Sequence, residues 1–207
     1  LNNLGLSHKK LRNYLKAEKY LLQSLEQNPK YINALVNLGN IKNETYYFED
    51  AISYYNKALE LNKNLPLIHL NLSVVYQSIN KINKAKDHLN KALLIDETFT
   101  IADQKLTTLE KYDEKNPHLK LMIYKLEKLE LNNSQKIYLH FGLSKAYKDL
   151  KNYKKSFFYL QSGNKLQREA LTYDINVHKV LSEKIKSTFS KIDLKEIGST
   201  DGGEDNI

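Results

Sequence analysis

Three asparagines, Asn3, Asn37 and Asn71, stand 34 residues apart, and of the side chains in this sequence they are the best suited to hold a ligand. A primary amide carries two donors and an acceptor, so one asparagine can pair with both the N–H and the C=O of a peptide unit without reading the side chain attached to it. Regular spacing of such groups suits an extended chain. Asn40, Val74 and Gln77 lie at helical spacing from this column and would extend the same surface. The competing reading is that asparagine is merely common in a sequence also rich in Lys, Ile and Tyr. The column stops after three members, because Lys105 and Gly142 occupy the next equivalent places.

Other chemistry is missing. There is no G-x-x-x-x-G-K-[ST] phosphate loop, no G-x-S-x-G turn and no H-E-x-x-H helix. The six histidines, His8, His69, His88, His118, His140 and His178, include no pair four residues apart that would share one helix face as metal ligands. His140 and His178 fall on apolar faces and read as packing residues. The absence of cysteine removes disulfides and thiolate metal sites. Gly198, Gly202 and Gly203 lack the lysine and following helix that would cradle a phosphate. Asn43-Glu44-Thr45, Asn71-Leu72-Ser73 and Asn132-Asn133-Ser134 fit the glycosylation triplet, and chance explains them in so asparagine-rich a chain. No catalytic residue, metal or cofactor is expected in this chain.

The elements that would position the asparagines are marked by small residues. Gly5, Ala17 and Ser24 are answered by Gly39, Ala51 and Ala58, then by Ser73, Ala85 and Ala92. A 34-residue period with small side chains at these offsets resembles tetratricopeptide (TPR) repeats, in which two antiparallel helices cross too closely to admit bulk. The resemblance implies an all-α, right-handed superhelix of helix pairs with a protein or peptide partner in its concave groove. In such superhelices the asparagine column faces the concave side. The column also resembles the asparagine ladders of peptide-binding superhelices in sugar-transferring TPR enzymes. Pro29, Pro66 and Pro117 all fall at expected helix junctions, as they must, since proline inside a helix costs ~3 kcal/mol.

Residues 1–99 read as three repeats, the first truncated at its start because Leu1 already falls inside a helix. Residues 100–136 read as a degenerate fourth helix pair. Residues 137–170 form a fifth TPR-like repeat in which Leu143, Ser144, Tyr147, Ser156, Leu160 and Gly163 restore the pattern. Ser144 lies 71 residues after Ser73, two periods plus an insertion of three. Ile175, Val177, His178, Leu181, Ile185 and Phe189 predict a capping helix within 171–192, and 193–207 read as a flexible linker or truncated tail.

The formal charge of +8 is concentrated in residues 115–195, which hold 17 basic and 7 acidic groups and could attract polyanions. Only Arg12 and Arg168 are arginines, however, and phosphate or base recognition favours the bidentate guanidinium. Solvated helix faces are therefore expected, without a nucleic-acid partner. No apolar run approaches the ~20 residues of a membrane-spanning helix, and the first residues do not resemble a signal peptide. The expected setting is the cytoplasm, with no membrane partner.

The fifth repeat is more distinctive. Leu139-His140-Phe141-Gly142-Leu143-Ser144-Lys145-Ala146-Tyr147, then Asp149, Phe157, Phe158 and Gly163-Asn164-Lys165-Leu166-Gln167-Arg168, is similar to a segment of bacterial proteins that join TPR repeats to a sulfotransferase domain. The resemblance covers residues 101–195 and includes Phe189-Ser190-Lys191-Ile192. Gly142 and Ser144 depart from it, standing where Ala and Gly are usual. It implies a parent protein that transfers a sulfuryl group from 3′-phosphoadenylyl sulfate (PAPS) to an acceptor such as a protein or peptide. Its catalytic domain would begin beyond Ile207 with a Pro-Arg-Ser-Gly-Thr loop, and these repeats would contact it. No residue of this chain is assigned to that step. The alternatives are a freestanding TPR adaptor that scaffolds a complex, or a repeat module attached to a different transferase or a nucleic-acid machine.

Overall fold

Antiparallel helix pairs follow one another in the register that the small residues predict. The pairs are α1 (Asn2–Lys10) with α2 (Tyr14–Gln27), α3 (Ile32–Glu44) with α4 (Phe48–Leu61), and α5 (Pro66–Ser78) with α6 (Ile82–Ile95). The computed structural model describes residues 1–170 and 175–189, the latter without the side chains of Ile175, Asn176, Val177, His178, Leu181 and Phe189. The described residues contain helices and no strand. At the crossing within each pair, a small residue of the first helix meets a large one 16 positions on. A Cβ added at Gly5 would stand 2.8 Å from Leu21 Cγ, and one added at Gly39 would stand 2.6 Å from Tyr55 Cε1. Leu21, Tyr55 and Leu89 occupy this large position and are buried, as are Ala17, Ala51 and Ala85 beside them. Burial of each large side chain contributes about 1.5–3 kcal/mol.

The turns repeat as faithfully as the crossings. Arg12, Tyr46, Asn80 and Lys151 have φ of 56°, 66°, 57° and 58° and are the described non-glycine residues with positive φ. The first three are 34 residues apart and the last follows 71 later, the interval already seen between Ser73 and Ser144. In each turn the next backbone N–H donates to a carbonyl five residues back: Asn13 to His8, Tyr47 to Lys42, Lys81 to Tyr76 and Asn152 to Tyr147. Each left-handed residue donates three back, completing a Schellman motif that satisfies the last carbonyls of the helix. The second helices end in side-chain turns, where Asn28, Asn62 and Asp96 accept from the backbone N–H groups of Lys30, Asn64 and Thr98.

Beyond Phe99 come α7 (Thr100–Leu109), α8 (Pro117–Lys128), α9 (Asn133–Asp149) and α10 (Tyr153–Ala170). α7 packs more extensively on α9 than on any other helix. That approach is close because Gly142 leaves room: a Cβ there would lie 3.1 Å from Met122 Sδ and 3.4 Å from Thr107 Cγ2. A capping box at Asn132 and Gln135 starts α9. Gln135 then ties α9 back to repeat three, donating to Thr98 O at 3.0 Å while its own carbonyl accepts from Thr100 Oγ1 at 2.9 Å.

Asp103, Lys125 and His118 join α7 to α8. The fully buried Asp103 carboxylate accepts two bonds from Lys125 Nζ, both 2.9 Å, and lies 2.8 Å from His118 Nε2. Tyr112 Oη sits 2.5 Å from His118 Nδ1, and Asp149 Oδ2 accepts from the Tyr112 backbone N–H at 3.0 Å. Burial raises the Tyr112 phenol well above its ordinary range, so it stays protonated and donates to the imidazole. Between α9 and α10, Ser156 Oγ donates to Ser144 O at 2.8 Å and Tyr147 stacks on Tyr159 at 5.5 Å. Leu160 departs from the expected pattern. It is 41% exposed where Leu21, Tyr55 and Leu89 are buried, and Tyr159 and Gly163 seat α10 in its place.

These helices belong to a first unit, Leu1–Gln167; a second unit begins at Arg168. Within the second, α11 (Ile175–Phe189) is a 15-residue helix in which Val180 and Ile185 are exposed. The other side chains expected to form its buried stripe, Ile175, Val177, His178, Leu181 and Phe189, lie outside the described residues, as do residues 193–207.

Candidate functional site

The first helix of each pair carries the asparagine column. α3 lies against α1 and α5, so Asn3, Asn37 and Asn71 come from three neighbouring helices. Asn71 Nδ2 donates to Asn40 Oδ1 at 3.1 Å, and the same oxygen accepts from the buried Tyr55 hydroxyl at 2.7 Å. Burial holds that phenol protonated, well above its ordinary range, which fixes it as the donor. Asn37 Nδ2 donates at 3.1 Å to Asn2 Oδ1, and not to Asn3. Asn3 is exposed, with its oxygen 3.5 Å from Asn2 Nδ2. The column therefore carries lateral bonds between repeats in addition to the amide valences it leaves open. Val74 is half-buried next to it, and Gln77 is exposed at the end of α5.

The structure adds residues that the 34-residue spacing does not reveal. Asn33, Asn37, Asn40 and Asn43 lie at i, i+4, i+7 and i+10 and form one amide stripe along α3. A helical projection of α3 alone finds Asn33 and Asn43; the role of Asn2 requires the neighbouring helix. At the next equivalent places Lys105 is exposed on α7, whereas Gly142 is buried at the α7–α9 crossing and presents no side chain.

Histidines scattered in sequence meet in space. His69 of α5 and His88 of α6 place their Nδ1 atoms 2.9 Å apart, with ring centroids at 5.2 Å, and the Tyr76 ring stacks on His88 at 5.3 Å. Burial is the largest cause lowering both imidazoles, His88 to about 4. His140 is half-buried against Tyr159, as expected of a packing residue. No group of three or more His, Cys, Asp or Glu able to hold a metal occurs among the described residues, and no described helix is long and apolar enough to cross a membrane.

A repeated helix pair, a close crossing at Gly5 and Gly39, and an amide-lined first helix define a TPR superhelix. Residues 1–31, 32–65 and 67–99 each match the tetratricopeptide repeat family, so this part of the chain consists of three such repeats. Over 102 residues the chain is 32% identical to anaphase-promoting complex subunit CDC16 of Saccharomyces cerevisiae, covering 46% of this chain and 12% of that protein. Over 68 residues it is 40% identical to the mitochondrial import receptor subunit TOM70 of the same species, covering 33% and 11%. The chain thus spans a small fraction of these relatives. The structure of YrrB, a TPR protein with an unusual peptide-binding site, superposes with a TM-score of 0.55 at 16% identity, covering 81% of this chain and 84% of that one.

Proposed function

We propose that this chain is a protein-interaction scaffold whose first three repeats take an extended peptide along the amide face of α1, α3 and α5. The observation that carries this reading is the stripe Asn33, Asn37, Asn40 and Asn43, continued by Asn3 and Asn71, with Val74 and Gln77 at its margin. The stripe is uncharged in a chain of net charge +8, which favours recognition of main-chain amides over recognition of charge. Lateral bonds such as Asn71 to Asn40 hold the amides in place before a ligand arrives, which reduces the ordering cost of binding. CDC16 and TOM70 are subunits of a complex and of an import receptor by name, and YrrB is named for a peptide site; a partner-binding role here is consistent with all three.

The test is a peptide-array or display selection followed by calorimetry on the selected peptide. Asn33→Ala with Asn43→Ala should weaken binding at least about tenfold while melting stays unchanged, since neither side chain bonds to the fold. Undiminished affinity in that double variant would remove the proposal.

The finer reading, repeats that precede a sulfotransferase domain in a cytoplasmic protein, is supported by the resemblance of residues 139–168 alone. The family match ends at Phe99, and a freestanding adaptor is served equally well by the same face. Reading the coding sequence past Ile207 for a Pro-Arg-Ser-Gly-Thr loop discriminates between them. On either reading the 207 residues should not turn over PAPS.

A further inference from the structure

We propose that His69 and His88 form a two-imidazole chelate for a divalent transition metal, with Cu(II) the best-fitting ion. The two Nδ1 atoms converge across the α5–α6 pair at 2.9 Å. Imidazole nitrogens bind such metals at about 2.0–2.1 Å, and two of them 2.9 Å apart subtend about 90° at a shared ion. Tetrahedral coordination would require a separation of about 3.3–3.4 Å. A right angle belongs instead to the square-planar or tetragonal sites of Cu(II) and Ni(II), and imidazole suits both.

The surroundings favour ligation. His69 borders a cavity of about 470 Å³ together with Asn56, Leu59, Glu60 and Lys63, which gives an ion a route of entry and water a place from which to complete the coordination sphere. Burial keeps both imidazoles neutral at physiological pH, so no proton has to leave a charged ring before a metal binds. Tyr76 stacks on His88 and restrains the ring. Lys91 faces both imidazoles and Lys84 faces His88, opposed by Asp87. Their mixed field leaves chelation geometry to set the affinity. The site is separate from the amide face and does not depend on it.

The experiment titrates the full chain with Cu(II), Ni(II) and Zn(II) near neutral pH, using calorimetry together with electron paramagnetic resonance of the copper form. The expected result is one equivalent of Cu(II) showing hyperfine coupling to two imidazole nitrogens, weakened at least about tenfold by either His69→Gln or His88→Gln. Because either variant may disturb the helix pair, diethyl pyrocarbonate footprinting of the unaltered chain provides a second readout. Cu(II) should protect His69 and His88 from modification and leave the other histidines unaffected. A copper spectrum with one imidazole or none, equal affinity in both variants, or protection of other histidines instead would show that the pair is an imidazole–imidazole hydrogen bond and nothing more.

Discussion

The Tyr55 ring lies over Gly39 so closely that a Cβ on that residue would stand 2.6 Å from Cε1 and 2.8 Å from Cδ1. The ring cannot retreat, because it is buried and its hydroxyl is tied to Asn40 at 2.7 Å. Gly39 therefore sets both the distance between α3 and α4 and the position of an amide on the candidate site. Gly39→Ala should destabilise by about 1–3 kcal/mol, since overpacking outweighs the ~1 kcal/mol gained in helix propensity. Repeat three carries Ser73 and Leu89 at the same two positions, so Gly39→Ala with Tyr55→Leu should cost less than the two changes added. Urea denaturation of the four-member cycle measures the coupling; simple additivity would contradict the contact.

Tyr46 is in the left-handed region at φ 66°, where a residue with a side chain costs about 1–2 kcal/mol. It is 80% exposed, so little packing is lost with it. Tyr46→Gly should raise stability by roughly 0.5–1 kcal/mol after the added freedom of the unfolded chain is subtracted. Asn80→Gly, at the equivalent turn, should gain less, because asparagine tolerates this conformation. Thermal melts of the two variants provide the comparison.

Asp103 and Lys125 are fully buried and paired. Asp103→Ala should cost about 3–5 kcal/mol by leaving the ammonium uncompensated, whereas Asp103→Leu with Lys125→Met should recover most of the loss. Chemical denaturation decides. A mild single variant would mean that water reaches the site.

Acid should weaken the third repeat. His88 falls from an ordinary 6.5 to about 4 and His69 is lowered in the same direction, both chiefly through burial. Their neutral forms contribute stability that is complete above about 6.5. It declines as pH falls from there to about 4, because the unfolded chain binds protons that the folded one refuses. The urea midpoint followed across this interval should drop, and His88→Gln should flatten that part of the curve.

The asparagine column needs a refined test. Asn37 and Asn71 each donate a half-buried bond to the neighbouring repeat, so Asn37→Ala with Asn71→Ala should lower stability by about 0.5–1.5 kcal/mol per bond in addition to weakening peptide binding. Melting and calorimetry on one preparation separate the two effects. An unchanged melt would mean that these lateral bonds carry no weight.

The repeat architecture was legible in the sequence because a close helix crossing admits only small residues and leaves a periodic mark at Gly5, Gly39 and Ser73. The glycine at each crossing and the proline at each helix start are local requirements, and local requirements survive in one dimension. The left-handed turns were not legible, since Arg12, Tyr46 and Lys151 occupy a conformation that their own preferences oppose and only the stacked pair enforces. Leu160 misled for a related reason: its spacing matched the buried positions, but α10 is seated by Tyr159 and Gly163. For the candidate site, the 34-residue recurrence pointed to Asn3, Asn37 and Asn71. Only the side-by-side packing of first helices exchanged Asn3 for Asn2 as the lateral partner and spent the Asn40 oxygen on Tyr55. The meeting of His69 with His88, and of Asp103 with Lys125 and His118, depended wholly on tertiary structure. Sequence spacing encodes which face of a helix a residue occupies; distances between helices are set by how their side chains interlock, and no single helix contains that information.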